Sequence, residues 1–157
     1  MLKKALLVLL FILVVIQFIR PAKNISNSVS ANDITLHYPV PDTVLSIIKT
    51  SCYDCHSNTT AYPWYNNIQP VAWWLNNHVK EGKRELNFSE FASYTFKKQG
   101  KKMKSLEREI KEDGMPLDSY LWIHHNALLS PGQKDLLTNW ADSLQKTIMA
   151  DSLKSVK

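Results

Sequence analysis

The sequence predicts an all-α fold, and three observations carry that expectation. Apolar residues recur at helical spacing in several stretches. Those stretches are bounded by Pro, Gly and capping residues. No strand-rich pattern flanks the only two cysteines, Cys52 and Cys55. The 157 residues allow one modest domain plus a tail. They divide into a signal peptide or membrane anchor at 1–20, a flexible linker at 21–38, a helical domain at 39–147 and a tail at 148–157.

The first element is an export segment. Lys3 and Lys4 give it a positive start, and Ala5 to Ile19 is apolar except for Gln17. The run is short for a membrane span, which takes about 20 residues, and suits a signal sequence. Arg20-Pro21 ends it, and Ile19, Arg20 and Asn24 crowd the place where a small-x-small cleavage site would fall. An uncleaved anchor is therefore preferred to a cleaved signal. The positive-inside rule keeps Lys3 and Lys4 cytoplasmic, with Arg20 and Lys23 weakening the asymmetry. The expected location is the cytoplasmic membrane, with a periplasmic domain on a single-pass anchor, or the periplasm if the signal is removed. Residues 22–38 are polar and rich in Ser and Asn. They read as a tether without hydrophobic period, with His37 on the surface.

Pro41 and Asp42 open a helix whose apolar face is Val44, Leu45, Ile47 and Ile48. It runs into Cys52-Tyr53-Asp54-Cys55-His56. On a helical turn, positions i, i+3 and i+4 share a face, so both thiols and the imidazole can meet one flat porphyrin. C-x-x-C-H is the attachment signature of a c-type haem, with the thiols on its vinyl groups and His56 on the iron. Covalent haem attachment in bacteria takes place outside the cytoplasmic membrane, so the motif and the export segment support each other. Two other chemistries compete. A redox dithiol belongs in a βαβ context, which is missing here. A zinc site needs two more ligands, and His37, His78, His124 and His125 lack any paired spacing.

The stretch after the motif reads as a loop by its Asn, Thr and Pro content. Its Tyr62, Trp64 and Tyr65 either wrap the haem edge or are plain core aromatics. A backbone carbonyl near Pro63 is the expected acceptor for the second N–H of His56. Pro70 starts a helix that places Val71, Trp74, Leu75, His78 and Val79 on one face, and Gly82 is expected to end it. His78 is then a satisfied core histidine or, alternatively, a distal iron ligand. Ser89 is expected to cap a short aromatic helix, with Phe88, Phe91, Tyr94 and Phe96 as core mass and Gly100 as its end. A charged helix follows over 101–113 on a stripe of Met103, Leu106 and Ile110. Gly114 suits the position after its C-cap. Pro116 restricts the residue before it, so Met115 sits in a stiff loop from which a thioether can face a metal. Beside a haem motif it is the leading choice for sixth ligand, ahead of the histidines. His124-His125 read as surface or capping residues. Ser130-Pro131-Gly132-Gln133 opens the last helix, whose inward stripe is Leu136, Leu137, Trp140, Ala141 and Leu144.

From about Val44 to Leu144 the chain resembles the bacterial haem-binding domain of the cytochrome c type. The resemblance rests on Cys-Tyr-Asp-Cys-His-Ser-Asn at 52–58, Tyr-Pro-Trp-Tyr at 62–65 and Pro-Val-Ala-Trp-Trp at 70–74. Leu-Asn-Phe-Ser-Glu at 86–90, Gly-Met-Pro-Leu at 114–117 and the Leu-Ser-Pro…Trp helix at 129–140 complete it. It implies a cytochrome c-like helical domain around one covalent haem c, held by Cys52 and Cys55. It also implies His56 as proximal ligand and Met115 as axial methionine. Asp118-Ser119 departs from the more aromatic pattern of relatives and implies a wetter haem edge.

The family name describes a cofactor and not a reaction. The leading expectation is an electron carrier without catalytic residues, because a His/Met pair saturates the iron. The alternative is a peroxidase-like enzyme or sensor with an open sixth site, served by His78 and Arg84. The net charge of +5 is spread along the chain without a basic stripe, which sets nucleic acid aside. The expected partners are redox proteins, for which a mildly basic surface suits an acidic face, and the membrane.

Overall fold

The computed structural model describes residues 1–154, which hold eight α-helices, three short 3-10 turns and no strand. Helix α1 (Leu2–Ile16) is apolar on all sides after its two lysines and buries no residue. Fifteen residues at 1.5 Å each make about 22 Å, short of the roughly 30 Å of a hydrocarbon core. No described helix is long and apolar enough to cross a membrane. The expected apolar helix thus forms, but by itself it falls short of a span.

Residues 21–38 differ from the expected tether, because they are laid along the domain. The Asn24 side-chain amide donates to the Ser57 carbonyl and to Thr60 Oγ1, both at 2.9 Å. Its backbone N–H donates to the Tyr62 hydroxyl at 2.8 Å, and its carbonyl accepts the Thr60 N–H at 2.9 Å. Asp33 caps the short helix α2 (Ile34–His37) by accepting the Thr35 N–H. Ile34, only 1% exposed, enters the main core. The segment is polar in part because Asn24, Asn32 and Asp33 bond to protein groups.

That core lies between α3 (Asp42–Ser51), α6 (Phe96–Lys111) and α8 (Pro131–Lys154). Val44, Ile47 and Ile48 come from α3, Met103 and Ile110 from α6, and Leu137, Trp140, Leu144 and Ile148 from α8. Phe88 and Phe91, on the 3-10 turn Phe88–Ser93, are fully buried among them. Each such side chain contributes roughly 1.5–3 kcal/mol by leaving water. The α6–α8 interface is the most extensive in the fold. Gly100 does not end a helix. It lies inside α6, where a Cβ would come 3.0 Å from the Met149 sulfur of α8. Thr95 and not Gly100 marks the boundary, as the N-cap of α6. Asn87, not Ser89, caps the aromatic turn. The capping box of α8 is reciprocal, Ser130 N–H to Gln133 Oε1 and Gln133 N–H to Ser130 Oγ. The expected tail is helical through Lys154, with Ile148 buried, and 155–157 lie outside the described residues.

Two further helices surround the cysteine motif. Helix α4 (Tyr53–His56) is the motif itself, set off from α3 by a break at Cys52, and α5 (Val71–Glu85) packs against it. Helix α7 (Asp118–Leu121) follows the Met115 loop.

Candidate haem site

The turn that carries the motif is closed by its own backbone. The Cys52 carbonyl accepts the Cys55 N–H at 3.2 Å and the His56 N–H at 2.9 Å. Both thiols and the imidazole are thereby held on one helical turn, as the spacing predicts. Cys52, Cys55 and His56 line a cavity of about 340 Å³ together with Met115, His78, Gly82 and Tyr120. Four residues chosen from the sequence, 52, 55, 56 and 115, therefore meet in one space. An adjoining apolar cavity shares Cys52, His56 and Met115 and adds Leu86, Phe88, Leu106 and Leu129.

His56 Nδ1 is 2.9 Å from the Leu86 carbonyl. As the donor in that bond it leaves Nε2 as the free lone pair. The sequence expectation placed this acceptor near Pro63; it is instead the residue that ends α5. Burial pushes the His56 pKa down, partly offset by the carbonyls of Leu86 and Gly82. The imidazole is therefore neutral at neutral pH, the form that ligates a metal. Leu86 is held in place by a latch. The Asn58 N–H donates to Ser89 Oγ at 3.1 Å, and its side chain donates to Glu90 Oε1 at 2.7 Å and accepts from Asn87 at 2.9 Å. The turn after the motif and the turn after α5 are thus tied together. The hydrogen bond from Asn32 holds the Glu90 carboxyl below its ordinary value, opposed by burial and aided by smaller contributions from Ser30, Asn58 and the Lys83 charge.

Gly82 lies within α5 and not at its end. A Cβ there would stand 2.6 Å from the Cys55 carbonyl oxygen and 2.9 Å from the Cys55 Cβ. Only a glycine lets α5 approach the motif this closely.

Met115 is presented by the end of α6. The Gly114 N–H bonds to the Glu109 carbonyl at 2.8 Å and the Asp113 N–H to that of Ile110 at 3.4 Å, a Schellman pair. The left-handed residue is Asp113, with φ +57°, one position before the expected Gly114. Its carboxylate pairs with Lys134 of α8, and Asp is among the few non-glycine residues that adopt this conformation.

Both thiols are pushed up by burial, Cys52 to about 12 with help from Cys55, and Cys55 to about 11 with help from Asp54. A redox dithiol needs the opposite shift. No group of three or more His, Cys, Asp or Glu placed to hold a metal ion occurs among the described residues, so the zinc alternative lacks its remaining ligands. His78 lines the cavity with its Nδ1 2.9 Å from the Trp74 carbonyl and its ring against Trp74. Arg84, with its side chain 72% exposed, pairs with Glu81 and Glu85 and is not at the cavity. The structure does not bring His78 and Arg84 together as a distal pair.

Several residues of the site had no signal in the sequence. Asp54 accepts the Tyr120 hydroxyl at 2.7 Å and the Ala61 N–H at 2.9 Å, joining the motif to α7 and to the following loop. Burial and this carboxylate keep Tyr120 protonated. Tyr62, Trp64 and Tyr65 are not core residues; they line a third apolar cavity beyond Cys55, with Trp74, Trp122 and His124. His124 stacks on Tyr120, and His37 and His125 are exposed.

A profile of the family described as haem-binding domain matches residues 11–143. The chain belongs to this haem-binding domain family. No curated protein and no solved structure matches it. The haem-binding match begins within α1 and takes in the segment 21–38, in keeping with the bonds that tie those residues to the domain. The cavity fits such a group by its chemistry: apolar walls, a half-buried neutral imidazole with its far nitrogen fixed, and a thioether in the same space.

Proposed function

We propose that this haem-binding domain is a monohaem c-type cytochrome, passing one electron at the periplasmic face of the cytoplasmic membrane. The observation that carries the reading is that Cys52, Cys55, His56 and Met115 line one cavity. Each protonated thiol would add its S–H across one vinyl group. His56 Nε2 and Met115 Sδ would hold its iron. Bound haem supplies a reversible one-electron couple, and a methionine ligand favours its ferrous form. The remaining work belongs to the chain. Leu86 fixes the His56 tautomer, Phe88, Leu106 and Leu129 exclude water, and no residue is asked for catalysis. Redox proteins with an acidic face are the proposed partners, and α1 is the proposed membrane attachment.

The presence of His78 in the same cavity supports one competing ligation, and an open sixth site is the competing function. Both are separable by spectroscopy. Expressed with a cytochrome c maturation system, the protein is expected to give a pyridine haemochrome of covalent haem. Its ferric form is expected to show the red charge-transfer band of methionine ligation, which Met115→Ala removes and His78→Ala leaves in place. A Met115→Ala spectrum identical to wild type would sink the assignment. Rapid carbon monoxide binding by the ferrous wild type would move the protein to the open-site class.

A further inference from the structure

Helix α1 is joined to the domain by a clamp. The Gln17 side-chain amide donates to the Gln69 carbonyl at 3.2 Å, and its oxygen accepts the Gln69 N–H at 2.9 Å. The Ile19 carbonyl accepts from Gln69 Nε2 at 2.8 Å and from Trp73 Nε1 at 2.9 Å. The segment that enters this clamp, and the turn and first residues of α5 that receive it, leave large apolar side chains in the open: Phe18 and Ile19 on one side, Trp64 at 77% exposure, Ile68 and Trp74 on the other. Arg20 and Lys23 stand at the same junction. A soluble surface has little reason to gather such residues at the foot of an apolar helix. A membrane interface has one, because Trp is enriched at headgroup depth and cations there meet anionic lipid.

The length of α1 points the same way. It is several ångströms short of a hydrocarbon core, and a short apolar helix is accommodated by drawing its flanking residues toward the bilayer. Its flank is not a loose chain; it is the clamped domain. We propose that the aromatic rim at the start of α5 is a phospholipid-docking face, seated in the headgroup layer by the short α1, so that the haem-binding domain is held against the bilayer in one orientation. This rests on the reading of α1 as a membrane anchor.

Full-length holo-protein in vesicles of phosphatidylcholine and phosphatidylglycerol, footprinted by hydroxyl radicals and read by mass spectrometry, tests it. Leu153, 74% exposed on α8, is the reference for open solvent. Labelling of Trp64 and Ile68 is expected to fall several-fold below that expected from their exposure, alongside protection of residues 2–16. Gln17→Ala, at the C-cap of α1 and outside the domain core, is expected to restore labelling at Trp64 while α1 stays protected. Trp64→Glu is expected to restore it at Ile68. Full labelling of Trp64 and Ile68 with α1 protected overturns the docking face and leaves the anchor standing. Recovery of the chain in the aqueous fraction without its first peptide overturns the anchor reading and docking with it.

Discussion

His56 shows what holds one candidate ligand in place. Its position was legible in the sequence, since C-x-x-C-H fixes it by spacing alone. Its orientation was not, because the acceptor at Leu86 lies 30 residues away and a backbone carbonyl has no side-chain signature. The Asn58–Asn87–Glu90 latch that aims this carbonyl invites a test. The folded pKa of Glu90 is depressed, so its stabilisation is complete above the ordinary value near 4.5 and disappears as pH falls through the lower folded value. Glu90→Gln is expected to cost about 1 kcal/mol at neutral pH after allowance for solvent screening. The gap from wild type should close in strong acid. Urea melts at pH 7 and pH 3 measure it, and a gap independent of pH would exclude the carboxylate as its source. Asp113 carries a parallel lesson. Glycine is the usual signal for a left-handed residue, and here the neighbour of a glycine takes that conformation, so the expected C′ position was off by one.

At the scale of elements, most helices were legible because caps and apolar stripes are local. Gly82 and Gly100 were misread as ends because glycine breaks a helix by propensity but also admits a close neighbour, and the neighbour is tertiary information. The two cases differ in rigidity. At Gly100 the contact is the flexible end of Met149, whereas at Gly82 it is the backbone of Cys55. Gly82→Ala is therefore expected to destabilise by about 1–3 kcal/mol, although it raises helix propensity, because overpacking against fixed backbone dominates. Chemical denaturation of the holo-protein measures this; an unchanged or raised midpoint would show that α5 can step away from the motif. Gly100→Ala is expected to cost less.

For the whole molecule, the domain boundary was the least legible feature. Composition marked 21–38 as a tether, yet Asn24 and Asn32 bond to distant loops and Asp33 caps α2. Hydrogen-bond partners of that kind have no periodicity to betray them. The core of α3, α6 and α8 borders the cavity through Phe88, Ile110 and Leu129, and α4, α5, α7 and the Met115 loop meet around its apolar walls. Cys52→Ala with Cys55→Ala is expected to leave helix content in α6 and α8 while lowering and broadening the thermal transition. A transition as sharp and as high as that of the holo-protein would contradict the dependence. One last consequence belongs to α5. Its first residues meet the clamp at Gln69 and Trp73, and its last turn meets Cys55 and His56. The two ends are phased to each other by whole-residue counting, about 100° per step. A single inserted or deleted residue between Trp74 and Gly82 would swing Gly82 off Cys55 and the Leu86 carbonyl off His56 at once. Sequences built on this plan should vary freely in what α5 shows to solvent and hardly at all in how many residues it contains.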